Sequence, residues 1–392
     1  MKKLLGLSLT CLLLTSCTVM EPEQKVVVST VEHKPLAPFK PSQTAFKPSK
    51  PSYPGARKVA VLLPLSGQYG TLGKSLLHAS ELALFESGNN SNIVLLPKDT
   101  RGDAAGAHSA AREALDEGVD VIIGPIFSRE VQATRDEAQV RHIPVLSFST
   151  DSYVAGNGTY NMGFLPSQQV EHIARYAASQ GHKKIVALTP KTEYGSLLSQ
   201  TLQSMRHQGE IELVDMLPYD SGQLFTGSAT LQQIVNKLQE AQGQGATAVL
   251  FPDTGVSLSA FVAALKSGGL HDMKILGTGQ WDTPGIHQTP GLQGAWFAAP
   301  SPQGRQRFEN TFQQQFGSTP PRIASLAYDA TALAIALAPY QFEERHLVSP
   351  QGYSGLDGVF RLRQDGTTER GLAVMQVTYS GVETISPAVA SF

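Results

Sequence analysis

Phosphate chemistry is the first that the residue types suggest. Ser66 and Gly67 end an apolar run, and Gly73-Lys74-Ser75 follows, the closing part of a loop whose backbone N–H groups, lysine and hydroxyl can cradle phosphates. The spacing argues against it. The leading glycine is Gly67, one residue early, and Gln68 stands where the motif reserves Gly. Other chemistry-bearing residues also come directly after apolar runs: Asp99–Asp103, Gly124–Ser128, Ser147-Phe148-Ser149-Thr150-Asp151, Glu193-Tyr194-Gly195, Asp253-Thr254-Gly255 and Gln280-Trp281-Asp282. Hydroxyls and carboxylates in such places either meet a ligand or cap the next helix, and both readings stay open for each residue. Phe127 and Trp281 are candidate cleft walls or packed core. No Gly-x-Ser-x-Gly, β-lactamase set or His-Glu-x-x-His occurs, so no nucleophile, base and orienter can be named. His172, His182, His207 and His271 lack metal-like spacing. The reading is a protein without catalysis, cofactor or metal.

The elements that must position these residues form a repeating unit. An apolar, β-branched run stops in a loop of Gly, Pro, Ser, Thr or Asp, and an amphipathic stretch follows. The runs are 59–65, 93–97, 119–123, 143–148, 184–188, 246–251 and 273–276. Strands so continuously apolar belong to parallel sheets buried on both faces. Between them, Val170, Ile173, Ala174, Ala177 and Ala178 keep helical spacing, as do Leu231, Ile234, Val235, Leu238 and Ala241 after Ser228, a candidate N-cap. The alternation predicts an α/β fold with right-handed crossovers. About 335 residues exceed what one core supports, so two lobes are expected. Ligands then lie outside the carboxyl ends of the strands, where the loops above stand.

The N-terminal part reads differently. Lys2 and Lys3 precede an apolar stretch from Leu4 to Leu14 that is too short to span a bilayer, and Leu14-Thr15-Ser16-Cys17 follows, similar to a bacterial lipobox. Residues 1–17 are expected to be a lipoprotein signal, with Cys17 as the lipidated residue. By the rule that the lipobox resemblance brings with it, an aspartate after the cysteine would hold the lipoprotein at the inner membrane, so Thr18 implies the outer membrane. Cys11 leaves with the signal, so no thiol remains for a disulfide or zinc site. Residues 18–57 hold seven prolines and no sustained periodicity, which suggests a semi-stiff tether. The formal charge is −2 overall, and losing the two signal lysines makes it more negative. Nucleic-acid binding, which calls for a basic excess gathered on one face, is excluded.

Taken in order, Val-Ala-Val-Leu-Leu-Pro-Leu-Ser-Gly (59–67) with Leu72-Gly73, Ile-Ile-Gly-Pro (122–125), Ile-Pro-Val-Leu-Ser (143–147), Tyr194-Gly195, Tyr328-Asp329-Ala330 and Gly-Leu-Asp-Gly-Val-Phe-Arg-Leu (355–362) resemble the type I periplasmic binding proteins of the leucine/isoleucine/valine-binding group. With the lipobox, Leu-Leu-Pro-Leu-Ser-Gly-Gln is most similar to the penicillin-binding protein activator lipoproteins. The resemblance implies two Rossmann-like lobes with parallel sheets, joined by a three-stranded hinge: residues 58–161 plus 283–352 as lobe 1, 162–282 plus 353–392 as lobe 2. In this family Leu-Ser-Gly ends the first strand at the cleft, so Ser66 and Gly67 border the ligand while Lys74 and Ser75 lie on helix surface. Carried over by position, Ser128, Ser149 and Thr150 would face a ligand carboxylate, Tyr194 would close over it, Asp253 could meet its ammonium and Trp281 could wall the cleft. Ser128-Arg129-Glu130 departs from the serine-rich loop of transport members, and Arg129 is either an anion clamp or a solvated helix residue. Two roles follow: a periplasm-facing, outer-membrane-anchored regulator of a penicillin-binding protein (a peptidoglycan synthase), or a receptor feeding an ABC permease with a branched-chain or other amino acid; the small-molecule ligand is expected to be an amino acid or a wall fragment. The activators carry a helical repeat domain ahead of this one, whereas only the tether is expected ahead of the lobes here, a departure from that resemblance.

Overall fold

The computed structural model describes residues 55–88 and 92–392. The expected signal, Cys17 and nearly all of the tether lie outside the described residues. The first lobe opens with β1 (Arg57–Leu63), α1 (Gly70–Glu86), β2 (Ile93–Asp99), α2 (Ala104–Asp116), β3 (Val121–Ile123), α3 (Ser128–Val140), β4 (Val145–Ser147) and β5 (Thr159–Asn161). Its sheet runs β2-β1-β3-β4-β5, all parallel. The chain then builds α4 (Pro166–Ser179), β6 (Lys184–Pro190), α5 (Glu193–His207), β7 (Glu212–Tyr219), α6 (Ala229–Gly243), β8 (Ala248–Leu250), α7 (Gly255–Ser267), β9 (Lys274–Gly277) and β10 (Trp296–Ala299). Their parallel order, β7-β6-β8-β9-β10, repeats that of the first sheet.

The chain returns with α8 (Pro302–Phe316), α9 (Ala324–Leu337) and α10 (Glu344–Leu347), which pack on the first core. β11 (Tyr353–Gly355), β12 (Gly358–Leu362) and β13 (Thr368–Arg370) make a small antiparallel sheet. β14 (Ala373–Val377) and β15 (Val382–Ser386) extend the second sheet beside β10, both antiparallel to their neighbours. The chain thus passes between the lobes three times, after β5, β10 and β13. The fold is α/β with two lobes.

Why the strand runs lack alternation is visible at β1. Val59, Val61 and Leu63 enter one core with Leu76 of α1 and Leu326, Ala330 and Leu333 of α9. Ala60 and Leu62 enter the opposite core with Ala111 and Leu115 of α2 and Ala138 of α3. β6 does the same, Val186 and Leu188 facing α6 and α7 while Ile185 and Ala187 face α4 and α5. Each fully buried aliphatic side chain contributes ~1.5–3 kcal/mol, so polar residues are driven to strand ends. Ser228 caps α6 as expected, its hydroxyl accepting from the Leu231 N–H at 3.2 Å.

Two of the expected lobe boundaries differ from the strand pairing. β10 lies within 283–352, yet it pairs with β9 and β14 in the second sheet, and Phe297 and Ala299 lie in the second core. The crossing therefore comes after residue 299. Residues 353–362 were expected in lobe 2, but Tyr353, Phe360 and Leu362 pack in the first core. Aromatic and leucine side chains on β11 and β12 find apolar surface there, and the chain rejoins the second sheet only at β14.

Candidate functional site

β5 leaves the first lobe from the carboxyl end of its parallel sheet, and β10 leaves the second lobe in the same way. Both sets of strand ends therefore turn toward the other lobe. In each sheet the order reverses at one point, between β1 and β3 in the first lobe and between β6 and β8 in the second. Such switch points open a crevice at the strand ends. Ser66 and Ser128 follow β1 and β3, and Tyr194 and Asp253 follow β6 and β8. Four of the expected residues thus flank the two switch points.

On the first lobe, Asp99 organises the rim. Its Oδ1 accepts from the N–H groups of Leu65 (2.9 Å), Ser66 (3.3 Å) and Arg101 (2.9 Å). Partial burial works to raise its pKa, but the bonds from Ser66, Arg101 and Leu65 outweigh it and hold the carboxyl below its usual range. Gly67 has φ 71°, the left-handed turn that lets the chain leave β1 sharply. Ser128 begins α3, with its hydroxyl 3.3 Å from that of buried Ser149. Ser149 Oγ also accepts from the Asp151 N–H at 3.1 Å, and Thr150 beside it is exposed. Lys74 is exposed and Ser75 Oγ donates to the Thr71 carbonyl at 3.0 Å, so both belong to the α1 surface and form no phosphate cradle.

Glu130, which the sequence reading did not single out, is buried. It accepts from the Thr100 hydroxyl (2.6 Å) and from the N–H of Phe127, the N-cap of α3 (3.1 Å), so it satisfies one of the free donors at the start of that helix. Burial raises its pKa against those two bonds. The Ser/Arg/Glu departure thus places a structural acid under the rim, while Arg129 is exposed.

On the second lobe, the Tyr194 hydroxyl lies 3.0 Å from Thr278 Oγ1. Burial, aided by the nearby Asp253 charge, pushes its pKa up to about 12 against hydrogen bonds from Thr278 and Gln280. Asp253 Oδ2 accepts from the buried Tyr219 hydroxyl at 3.3 Å, and Oδ1 from the Thr254 N–H at 2.9 Å. Trp281 corrects an expectation. It is fully buried, its indole N–H donates to the Asp253 carbonyl at 2.8 Å, and its ring packs near Phe297 at a centroid distance of 6.0 Å. A Cβ on Gly277 would lie 2.3 Å from that ring. Trp281 supports the rim from beneath and is no cleft wall, because its ring is the largest apolar surface available to fill the second core.

A cluster that the sequence did not reveal ties the lobes together. Asp282 lies directly after Trp281 in the second lobe. Its carboxylate accepts from both terminal nitrogens of Arg305, Nη2 to Oδ1 at 3.0 Å, and from Arg322 Nε at 2.8 Å. Arg322 also clasps Asp357 at 2.9 and 3.2 Å. Burial works to raise the Asp282 pKa, but the two guanidinium groups more than offset it and hold the carboxyl low. Among the described residues, no group of three or more His, Cys, Asp and Glu could hold a metal, and no helix is long and apolar enough to cross a membrane.

Known proteins share this architecture. The structure of a protein from Rhodospirillum rubrum, assigned to a branched-chain amino acid ABC transporter, superposes with a TM-score of 0.74 at 18% identity, covering 84% of this chain and 100% of that one. An ABC transporter substrate-binding protein from Desulfitobacterium hafniense in complex with Leu gives 0.64 at 17%, covering 84% and 100%. The leucine binding protein LivK of Thermotoga maritima gives 0.60 at 19%, covering 85% and 99%. In sequence, the penicillin-binding protein activator LpoA of Photobacterium profundum is 24% identical over 153 residues, 38% of this chain and 24% of that protein. An uncharacterised protein of Methanocaldococcus jannaschii is 27% identical over 229 residues, 54% of this chain and 52% of its own length. The matches therefore span about a quarter and about half of these curated relatives. Residues 57–382 match the sequence profile described as periplasmic binding protein, and with most of its length inside that match the chain belongs to the periplasmic binding protein family.

Proposed function

We propose that the chain is a non-catalytic, periplasm-facing lipoprotein, anchored through Cys17 at the outer membrane, whose two-lobed domain regulates a penicillin-binding protein. The observation that carries this reading is the state of Asp253. A receptor for amino acids needs acceptor capacity at the rim for the ligand ammonium, and here the Tyr219 hydroxyl and the Thr254 N–H already take one acceptor position on each carboxylate oxygen, which reduces what is left for an ammonium. The similarity to a penicillin-binding protein activator supports the same reading. In a reconstituted assay, the purified chain is expected to bind a bifunctional penicillin-binding protein and raise glycan or crosslink formation. Absence of both binding and any rate change would end this proposal.

The likeness to substrate-binding proteins favours a second reading, a receptor that delivers an amino acid to an ABC permease. Ser128, Ser149 and Thr150 would then take the carboxylate, with Ser66 and Gly67 at the cleft edge. Tyr194 would close over it and Asp253 would exchange its present bonds for the ammonium. A ligand that binds only the folded state raises the melting temperature by mass action. A shift with one member of an amino-acid panel would support the receptor, and no shift well above micromolar concentration would leave the regulator.

A further inference from the structure

We propose that Asp282, Arg305, Arg322 and Asp357 form an ionic latch that holds the two lobes in one relative orientation with no ligand between them. The inference stands whichever partner the protein serves. The acceptor is mounted firmly on the second lobe, because Asp282 follows an indole locked to the Asp253 carbonyl and its own N–H donates to the Gly279 carbonyl at 3.0 Å. The donors belong to the first lobe. Arg305 lies in the first turns of α8, just past the second crossing, and Arg322 just before α9. Arg322 reaches both sides at once, with Nε on Asp282 and its other nitrogens on Asp357 and on Ser325 Oγ at 3.1 Å.

The other two crossings are tied to the same place. The Arg322 guanidinium sits 4.3 Å from the centre of the Phe164 ring, in the segment that leads from β5 into α4. Arg370, at the end of β13 before the third crossing, lies 5.1 Å from the same ring and donates to the Met162 carbonyl at 2.8 Å. Arg370 Nε and Nη1 are buried without a partner, as is Asp329 Oδ2, so the ground beneath the latch is dry, while Asp282, Arg305 and Arg322 themselves are partly buried. A partly buried ion pair is screened less than an exposed one, and separating its members leaves each charge without its partner. Hinge motion of about 1 Å at Asp282 would carry the 2.8–3.0 Å bonds past hydrogen-bond range. In an ordinary clamshell the ligand supplies the free energy that selects one orientation of the lobes, whereas the latch would supply part of it from the protein's own side chains.

The test measures the distance between lobes. Cys11 and Cys17 are the only cysteines, so the full chain carrying Cys11→Ser and Cys17→Ser accepts nitroxide labels at Tyr153→Cys on the first lobe and Val256→Cys on the second, both well exposed. Double electron–electron resonance without ligand is expected to give one narrow distance distribution. Asp282→Asn and Arg305→Gln are each expected to add a second, separate population. A broad or two-peaked distribution in the unmutated latch overturns the proposal by itself. It is equally overturned if a folded Asp282→Asn or Arg305→Gln variant keeps the narrow distribution. Should Asp282→Asn fail to fold, Arg305→Gln still decides, since it removes the two-nitrogen clasp and leaves Asp282 only the single Arg322 Nε bond, which does not suffice to hold one orientation.

Discussion

Asp329 is buried in α9 with one carboxylate oxygen bonded to the Leu356 N–H at 2.8 Å and the other unpartnered. Burial, with the neighbouring Asp357 charge adding to it, pushes its pKa from the ordinary 3.8 to about 7, while Arg370, the Leu356 N–H and Arg322 work the other way. The native chain therefore keeps a proton that the unfolded chain has already lost. Stability should fall as pH rises from about 4 to about 7, and Asp329→Asn should flatten that slope in urea titrations. Asp282 has the opposite sign, since its lowered pKa gives stability that is present above the ordinary aspartate range and lost as pH falls below it. Trp281→Ala tests the reassignment of that side chain to the core. A fully buried tryptophan replaced by alanine should cost about 3–5 kcal/mol, read as a lower denaturation midpoint, where a solvent-facing wall would cost far less.

At the scale of elements, the close seating of helices on strand ends rests on single glycines. A Cβ at Gly73 of α1 would stand 2.0 Å from the Pro64 carbonyl oxygen, and one at Gly195 of α5 1.8 Å from that of Pro190. The Gly-Lys-Ser sequence that suggests a phosphate loop thus owes its glycine to helix packing. Gly73→Ala should cost at least about 1–3 kcal/mol in thermal or chemical unfolding, because the helix must move off its strand. Gly243, the last residue of α6, meets nothing within 4 Å, and Gly243→Ala should be neutral or stabilise by roughly 0.4–1 kcal/mol. The strand runs of the two parallel sheets were legible because both faces are buried. β7 was not, since Glu212, Asp215 and Pro218 interrupt its apolar residues at a sheet edge, and β5 and β10 were too short to stand out.

For the whole molecule, three crossings make each lobe depend on distant chain. Residues after Ala299 supply α9 to the first core and β14 to the second sheet. A fragment ending at Ala299 would lose the apolar surface that Leu326, Ala330, Leu333 and Leu337 bury against β1 and α1. It should show no cooperative melt by circular dichroism, whereas the full chain should. The same dependence makes the hinge a structural centre as well as a pivot, since the latch and all three crossings meet around Phe164.

The sequence by itself determined the local features, because each is decided within a few residues. Apolar runs without alternation forced buried parallel strands, a serine before helical spacing capped α6, and polar residues collected at strand ends because nowhere else on a doubly buried strand admits them. Tertiary structure decided which of those polar residues remain available. Ser66, Ser128, Tyr194 and Asp253 flank switch points, Asp253 with both carboxylate oxygens already accepting bonds, while Trp281 turns inward and Glu130 goes beneath the rim. It also decided the interlobe cluster, whose partners Asp282, Arg305, Arg322 and Asp357 are spread over the chain and carry no signature of their own. Charges so far apart in sequence acquire a common environment only when the packed cores have set the lobes, and the low dielectric around them, in place.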